Sequence, residues 1–309
     1  MMRYESLKRR PACFRAFTSL TVEEFDRLVA EIHTDWILQR KKRLKRDDRI
    51  RKEGAGRKFS LKTLEDQLLL TLVWTRMYPV YLVMEYLFNV DESTVSRTIQ
   101  HMTVLLKDRF TLPERLPRKK IRSLEELKEY LPKDVNLDDI LSDATEQSVL
   151  RPQDRRTRKR YHSGKKRDFT EKTQIATTQK GFVIHISDSV GGRMHDYKLF
   201  QRSGLPEKIP KDVKMYLDNG YQGAQKDYPN LAVLLPFKRH RGKKELSHSE
   251  KIFNKKQRRV RIKVENTLAQ LKKYNILNQT YRHSLHNYNT NFRFVANILN
   301  FRMLSRGLA

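Results

Sequence analysis

The spacing of apolar residues separates a helical amino-terminal part from a carboxyl-terminal part in which strands and helices alternate. Residues 14–36 predict one helix, with Thr21 and Glu24 forming a capping box. Ser60 is the expected cap of a second helix, and Pro79 is expected to begin a third. Beyond residue 134, short apolar runs predict strands.

Residues 60–110 carry the pattern of a helix-turn-helix. Asn89 suits a tight turn with left-handed backbone, and Asp91 can cap the helix that follows. The apolar residues spaced for the buried side of that helix are Val95, Ile99, Met102 and Leu106. The residues expected on its exposed side, where bases or phosphates are contacted, are Ser93, Thr94, Arg97, Thr98 and His101. The alternative is a three-helix bundle with a polar face.

Strands and helices follow one another in a definite order beyond residue 134. The predicted strands cover about 138–147, 172–178, 182–188, 213–218 and 232–236. Helices are predicted from His195 to about Arg202, from Val260 to Tyr274 and around Phe292 to Leu299. This is the element order of an RNase H-like domain. The predicted fold class is therefore α+β overall: an all-α helix-turn-helix domain, then an α/β RNase H-like domain with a mixed five-stranded sheet.

Changes in composition suggest the domain boundaries. Residues 1–58 would form an N-terminal helix and basic arm, and 59–110 the helix-turn-helix domain. Residues 111–133, punctuated by prolines, read as a connector with a short helix capped at Ser123. Residues 134–309 would form the catalytic domain.

The charge of the chain indicates a polyanionic partner. Its 309 residues include 65 Lys and Arg against 36 Asp and Glu, a net charge of +29, and nucleic acid is the usual partner of so basic a protein. The basic stretches are 40–58, 151–172 and 238–263. Anionic membrane is the competing partner, but the apolar patch from Leu68 to Trp74 is too short to span a bilayer. A single cysteine, Cys13, expected to be packed, fits a reducing cytoplasm and a nucleoid-associated protein.

Three acidic residues are candidates for catalysis: Asp143, Asp218 and Glu265. In the expected fold the first strand is central and the fourth lies beside it, so Asp143 and Asp218 become neighbours, and a helix can bring Glu265 to them. Such a cluster can bind two Mg²⁺ ions, which prefer oxygen ligands and promote phosphodiester cleavage.

Other acidic and basic residues have competing interpretations. Asp139 shares a strand face with Asp143, and Asp196 is expected to start a helix rather than bind metal. His185 and His195 are expected to be structural rather than a catalytic base. The segment Lys165–Arg167 either grips phosphates or is a solvated loop.

Five segments together resemble a known family. They are Ser142–Thr145, Tyr161–Lys166, Gly191–Asp196, Leu217–Gly223 and Arg261–Glu265 with Lys272. Over 138–280 the chain resembles the catalytic domain of the DDE transposases of bacterial insertion sequences, and its amino-terminal half resembles the helix-turn-helix that precedes that domain.

The resemblance implies that Asp143, Asp218 and Glu265 are the catalytic, metal-binding triad. Two Mg²⁺ ions would be the cofactors, with Mn²⁺ as a substitute. It also implies that Arg261 and Lys272 contact DNA phosphates. Related families have a Tyr three residues before that Arg, where this chain has Arg258.

The function expected is that of a transposase acting on double-stranded DNA, at the element's terminal inverted repeats and at a target, as a homodimer or larger assembly. The candidate DNA contacts are Ser93, Thr94, Arg97, His101, Lys165, Lys166, Arg261 and Lys272. The alternatives are a DNA-binding regulator with an inactive catalytic domain, or a general nuclease of the same fold.

Overall fold

The computed structural model describes residues 1–45, 59–107, 109–111, 121–239 and 245–309. The chain divides into two compact units. The first comprises Met1–Arg109 with Tyr274–Ile276, and the second comprises Phe110–Lys273 with Leu277–Ala309. Parts of the predicted basic arm (46–58), of the connector (112–120) and of the last basic stretch (240–244) lie outside the described residues.

The described part of the first unit contains six helices. They are α1 (Tyr4–Leu7), α2 (Pro11–Thr18), α3 (Val22–Leu44), α4 (Leu64–Met77), α5 (Tyr81–Phe88) and α6 (Glu92–Leu106). The single helix predicted over 14–36 was wrong, because Ser19 takes a φ of 64° and ends α2. Thr21 then starts α3, and its predicted capping box with Glu24 is confirmed.

The predicted start of α4 was three residues early. Thr63, not Ser60, is the cap, since its hydroxyl accepts a hydrogen bond from the Asp66 amide at 3.2 Å. The next helix begins at Tyr81, two residues beyond Pro79. A helix can start after a residue whose hydroxyl accepts a hydrogen bond from the backbone amide three residues later. Ser60 and Thr63 both have such a hydroxyl, so the sequence allows either start.

The turn of the helix-turn-helix has the predicted backbone. Asn89 ends α5 with a φ of 48°, in the left-handed region. Asp91 lies at the cap position of α6, although its side chain makes no capping hydrogen bond. The four predicted core residues of α6 are all buried: Val95, Ile99, Met102 and Leu106.

The second unit is a mixed sheet with helices packed on it. In the described residues its strands are β1 (Asp139–Ser148), β2 (His162–Ser163), β3 (Asp168–Thr178), β4 (Val183–Ile186), β5 (Val190–Gly191), β6 (Lys214–Tyr216) and β7 (Ala232–Leu234). Its helices are α7 (Leu124–Lys128), α8 (Arg155–Tyr161), α9 (Asp196–Arg202), α10 (Ala224–Asp227), α11 (His248–Leu271) and α12 (Tyr288–Ser305).

The strands are ordered β2-β3-β1-β6-β7, and β4 and β5 also pair with β3. Strand β1 runs antiparallel to β3 and parallel to β6, and β6 runs parallel to β7. The predicted five strands are therefore confirmed as the longer strands of a mixed sheet, to which β2 and β5 add two residues each. The predicted fold class is confirmed.

The core of the second unit lies between this sheet and its helices. Ile140 and Leu141 of β1 are fully buried, as are Phe294 and Ile298 of α12. Helix α12 also buries Asn300, whose amide donates to the carbonyl of Val183 at 2.7 Å and so ties the helix to β4.

Two further expectations concern membranes and the cysteine. No helix within the described residues is both long and apolar enough to span a membrane. Cys13 is exposed, which contradicts the expectation that it is packed. It lies on α2, between Arg10 and Phe14, and only Phe14 of that turn is directed into the core.

The left-handed turn at Asn89 can be tested by substitution. Asn89→Val should lower the free energy of unfolding by about 1–2 kcal/mol, because a side chain branched at Cβ clashes with the backbone in this conformation. Asn89→Gly should cost little, since glycine adopts the same conformation freely. Denaturant unfolding of both variants measures the difference. Equal stabilities for Val and Gly would contradict the turn geometry.

Candidate active site

Two of the three predicted acidic residues lie on neighbouring strands. Asp143 is in the middle of β1, opposite Ile175 of β3. On its other side β1 pairs in parallel with β6, Leu141 facing Tyr216. Asp218 follows β6 by two residues, and its carboxylate accepts a hydrogen bond from the Asn219 amide. Parallel pairing of β1 and β6 therefore places both carboxylates at the same edge of the sheet.

A single guanidinium lies between these two carboxylates. Arg261 of α11 places Nη2 3.7 Å from Oδ2 of Asp143 and Nη1 3.6 Å from Oδ1 of Asp218. The Arg261 side chain is only 13% exposed, whereas that of Asp218 is 45% exposed. The predicted approach of Asp143 to Asp218 is therefore observed, and Arg261 is shared between the two carboxylates.

The third predicted residue does not join them. Glu265 is exposed on α11, one turn beyond Arg261. No group of three His, Cys, Asp or Glu side chains within the described residues is arranged to bind a metal ion. Like charges repel one another without a cation between them, and here the cation between Asp143 and Asp218 is Arg261. The assignment of Glu265 to the site stays a prediction.

The residues around the pair nevertheless fit a hard divalent cation. Tyr221 is fully buried, and its hydroxyl has no hydrogen-bond partner. Burial, together with the negative charges of Asp143, Asp196 and Asp218, raises the pKa of this phenol well above its usual range. Carboxylate and hydroxyl oxygens are donors that suit Mg²⁺ or Mn²⁺ rather than softer metals.

The carboxyl group of Asp143 has a strongly perturbed pKa, which is raised from 3.8 to about 6. Burial is the largest cause, and the charges of Asp218 and Asp196 also raise the pKa. Arg261 and the Ala144 amide, 2.8 Å from Oδ1, lower it in part. Such a group is costly to ionise without a nearby cation, as expected of a ligand that acts with one.

A buried ion-pair layer next to the site escaped the sequence-based analysis. Lys172 of β3 places Nζ 2.7 Å from Asp196 and 3.2 Å from Glu146, and its side chain is 8% exposed. The same ammonium donates to the carbonyl of Met194 at 2.7 Å. As predicted, Asp196 begins a helix, α9. The ion pair with Lys172 joins residues from separate elements, so no local sequence signal could reveal it.

Asp196 of this layer lies against the turn that carries Asp218. A Cβ at Gly220 would lie 3.3 Å from Oδ2 of Asp196, so only glycine lets the two approach this closely without a shift. Burial raises the pKa of Glu146, but hydrogen bonds from Ser163 and Thr170 and the charge of Lys172 outweigh it and lower that pKa below its ordinary value. Glu146 is therefore ionised at neutral pH, and the ion pair with Lys172 positions Asp196 beside the turn.

The predicted basic residues of this unit lie at two positions. Lys165 and Lys166 are exposed in the turn between β2 and β3. Lys272 is half-buried at the end of α11; burial and the nearby charge of Lys166 lower its pKa, against the opposing charges of Glu146 and Asp143. Lys166 and Lys272 thus lie within electrostatic reach of one another. Arg258 is exposed on α11.

The predicted recognition face of α6 is only partly exposed. Ser93 and Arg97 are exposed, Thr94 is half-buried, and Arg97 donates to the Ser93 carbonyl at 3.0 Å. Thr98, expected to be exposed, is buried. His101 is half-buried, because Nη1 of Arg43 on α3 lies 3.1 Å from its Nε2. The packing of α3 on this side of α6 could not be read from the α6 sequence.

The remaining candidates have structural surroundings. Asp139 accepts a hydrogen bond from Gln179 at 2.6 Å. His185 is buried, and burial with the charge of Arg293 lowers its pKa to about 3, so it is neutral at physiological pH. His195 caps α9, where its Nδ1 accepts from the Tyr197 amide at 3.3 Å.

The raised pKa of Asp143 predicts a pH-dependent loss of stability in metal-free protein. The folded state binds a proton more tightly than the unfolded chain between pH 3.8 and about 6, so this group's contribution to stability falls as pH rises through that window. Asp143→Asn should remove a loss of about 1 kcal/mol between pH 5 and pH 8, an interval that covers about one unit of the pKa shift; unfolding in EDTA at the two pH values measures it. Asp139→Asn is the matched control. A wild-type pH profile in Asp143→Asn would contradict the prediction.

Comparisons with known proteins identify a family for this chain. Residues 142–300 match the model of the DDE superfamily endonuclease, and residues 59–112 match the helix-turn-helix of DDE superfamily endonuclease. The chain is 31% identical to a probable transposase for insertion sequence element IS702 from Microchaete diplosiphon, over 83% of this chain and 86% of that protein.

A second relative is a putative transposase for insertion sequence element IS112 from Streptomyces albus G. The chain is 24% identical to it over 86% of each protein. No solved structure matches the chain. Since the family model covers the residues of β1, β6 and α11 that build the carboxylate edge, this chain belongs to the DDE superfamily endonucleases, among the transposases of insertion sequences.

Proposed function

We propose that this protein cuts DNA at the ends of an insertion element and joins the freed ends to target DNA. The observation that carries the proposal is the meeting of Asp143 and Asp218 around Arg261 at one edge of the sheet. A helix-turn-helix unit in the same chain supports binding of a specific DNA sequence.

Asp143, Asp218 and Glu265 would bind two Mg²⁺ ions. When bound, the ions activate the attacking oxygen and neutralise charge on the phosphoryl group. The helical offset of four between Arg261 and Glu265 places both on one side of α11. Glu265 is exposed on that helix, and its side chain would have to turn toward the carboxylate pair to join it.

The cations around the edge would orient the phosphodiester. Arg261 is shared by both carboxylates, and it would hold a phosphate oxygen beside them. Lys272, Lys166 and Lys165 would contact the neighbouring phosphates. Tyr221 is buried within electrostatic reach of both aspartates.

Two reactions would use this edge in turn. In the first, a water oxygen bonds to phosphorus at the element end, and the 3′ oxygen leaves as a hydroxyl. In the second, that 3′ hydroxyl attacks a phosphorus atom of the target strand and displaces the target's own 3′ oxygen. Because two element ends must be held together, we propose a homodimer or larger assembly.

Two rival functions share these features. A regulator would bind the ends without cutting, and a general nuclease would cut without needing the ends. The chain's membership in a transposase family, with both aspartates in place, favours the transposase over either rival.

Cleavage of DNA tests the proposed reaction. Wild-type protein should nick duplex carrying the element ends in Mg²⁺ or Mn²⁺ and not in EDTA. Asp218→Asn and Glu265→Gln should each lower the rate by at least about 10³-fold, because loss of one ligand removes charge compensation that the transition state needs.

Asp139→Asn is the control. It alters a carboxylate on β1, the strand that carries Asp143, and this carboxylate is hydrogen-bonded to Gln179. Absence of metal-dependent nicking in the wild type would favour the regulator. Equal cleavage of duplex without ends would favour the nuclease. A Glu265→Gln variant with wild-type rate would remove Glu265 from the site.

The second prediction concerns recognition. Arg97→Ala should weaken binding to the element ends by about 1–3 kcal/mol and binding to random duplex by much less, if this exposed side chain reaches a base edge. Glu92→Ala, an exposed neighbour at the start of α6, should not reduce binding. Fluorescence anisotropy with both duplexes measures the two affinities. Equal losses on both duplexes would limit Arg97 to phosphate contact.

A further inference from the structure

A strongly basic groove lies between α8 and α9 in the second unit. Its volume is about 750 Å³. The cations lining it are Arg156, Lys159, Arg160, Arg193, Lys198 and Arg202. Asp188 is the one carboxylate that lines it, and that group accepts a hydrogen bond from Asn289 of α12 at 3.3 Å.

Four of the six cations of this groove have no ion-pair partner among the residues that the structure describes. Arg156, Lys159, Arg193 and Lys198 are exposed, and none of the four forms an ion pair with any residue that the structure describes. Packing so many like charges around one concavity raises the local positive potential and concentrates anions there. The groove therefore fits a partner with several regularly placed negative charges.

The two walls are built from helix faces. Lys159 and Arg160 lie three and four residues after Arg156, so the three side chains share one face of α8. Lys198 and Arg202, four apart, share one face of α9. Both walls present rows of cations rather than scattered charges.

The walls are also fastened together. A Cβ at Gly191 would lie 2.5 Å from the carbonyl oxygen of Arg160, so the absence of a side chain there permits the close approach of β5 to the end of α8. The Arg193 amide donates to the same carbonyl at 3.3 Å. The groove is thus formed before any partner binds.

Helix α9 connects this groove to the carboxylate edge. Its first residue, Asp196, is ion-paired to Lys172 and lies against Gly220, next to the turn of Asp218. Lys198, two positions later, points to the groove on another side of the helix. A strand of DNA that passes the carboxylates can therefore continue along α9 into the groove.

We propose that the groove binds the phosphate backbone of the DNA duplex that is being cut, a few nucleotides from the scissile phosphate. The inference rests on the proposed function, since it takes the reacting DNA as the occupant. Residues that line the groove include no exposed large apolar side chain, and membrane-surface binding normally inserts such side chains. A concave row of cations suits a nucleic-acid backbone.

The salt dependence of DNA binding tests the proposal in the full-length protein. The groove variant is Lys159→Gln/Arg193→Gln/Lys198→Gln, and the matched control is Lys211→Gln/Lys214→Gln/Lys226→Gln, which removes the same charge from exposed residues of the same unit. The probe is a random-sequence DNA duplex. The slope of log K against log salt should become shallower by about 3 in the groove variant, since each lost phosphate contact contributes about 0.9.

The control variant should change that slope by less than about 1. Equal slopes in the two variants would overturn the proposal. Loss of sedimentation with phosphatidylserine vesicles in the groove variant, with an unchanged DNA slope, would also overturn it and assign the groove to a membrane.

Cross-linking gives a second measurement that does not depend on affinity. Cys13 is the chain's single cysteine, so Cys13→Ser/Lys198→Cys carries one thiol in the groove, and Cys13→Ser/Lys211→Cys carries one outside it. A duplex whose backbone tether carries a mixed disulfide should exchange with the cysteine thiol of the first variant, releasing the tether's leaving thiol, at several times the yield of the second. Equal yields would contradict the assignment.

These results are separable from those on the proposed function. Neither the salt-dependence measurement nor the cross-linking measurement requires the protein to cleave DNA. A wild type that never nicks DNA, with a shallower slope in the groove variant, would refute the proposed reaction and leave the groove as a DNA-binding surface. Metal-dependent nicking with identical slopes would do the reverse.

Discussion

The parallel pairing of β1 with β6 is the constraint on which the rest of the site depends. It aligns Leu141 with Tyr216, and two residues beyond those positions stand Asp143 and Asp218. Two carboxylates at adjoining strand positions repel one another unless a cation lies between them. Helix α11 supplies that cation as Arg261, which ties the helix to the sheet electrostatically as well as through its buried Val264 and Leu271.

The surroundings of Asp143 and Asp218 include both tightly ion-paired residues and exposed side chains. Lys172 and Glu146 are nearly buried and ion-paired, and Lys172 also pairs with the partly exposed Asp196. Removing one partner of the buried pair leaves an uncompensated charge. The carboxylate edge itself is more open, since Asp218 is 45% exposed and Glu265 lies at the surface. An edge of this kind can exchange a guanidinium for another cation without disturbing the layer behind it.

Charge explains how the second unit could engage DNA over more than one nucleotide. Lys166 and Lys272 lie within electrostatic reach of one another, and α8 and α9 carry further rows of cations in the same unit. The first unit adds a helix-turn-helix whose turn is set by the left-handed backbone of Asn89.

Several elements could be predicted because their signals are local. The capping box at Thr21, the turn at Asn89, the apolar face of α6 and the mixed sheet follow from spacing within short segments. The same reasoning failed at Ser60 and over 14–36, where neighbouring residues offered alternative helix starts and stops.

The sequence by itself determined the residue types, the order of strands and helices, and the excess of positive charge, because these depend on composition and on short-range periodicity. Tertiary structure alone decided that Arg261 lies between Asp143 and Asp218. It also decided that Lys172 forms an ion pair with Asp196 and that Arg43 contacts His101. Each of these contacts joins residues from different elements, and its geometry follows from strand pairing and helix packing over the whole unit. No window of sequence contains that information.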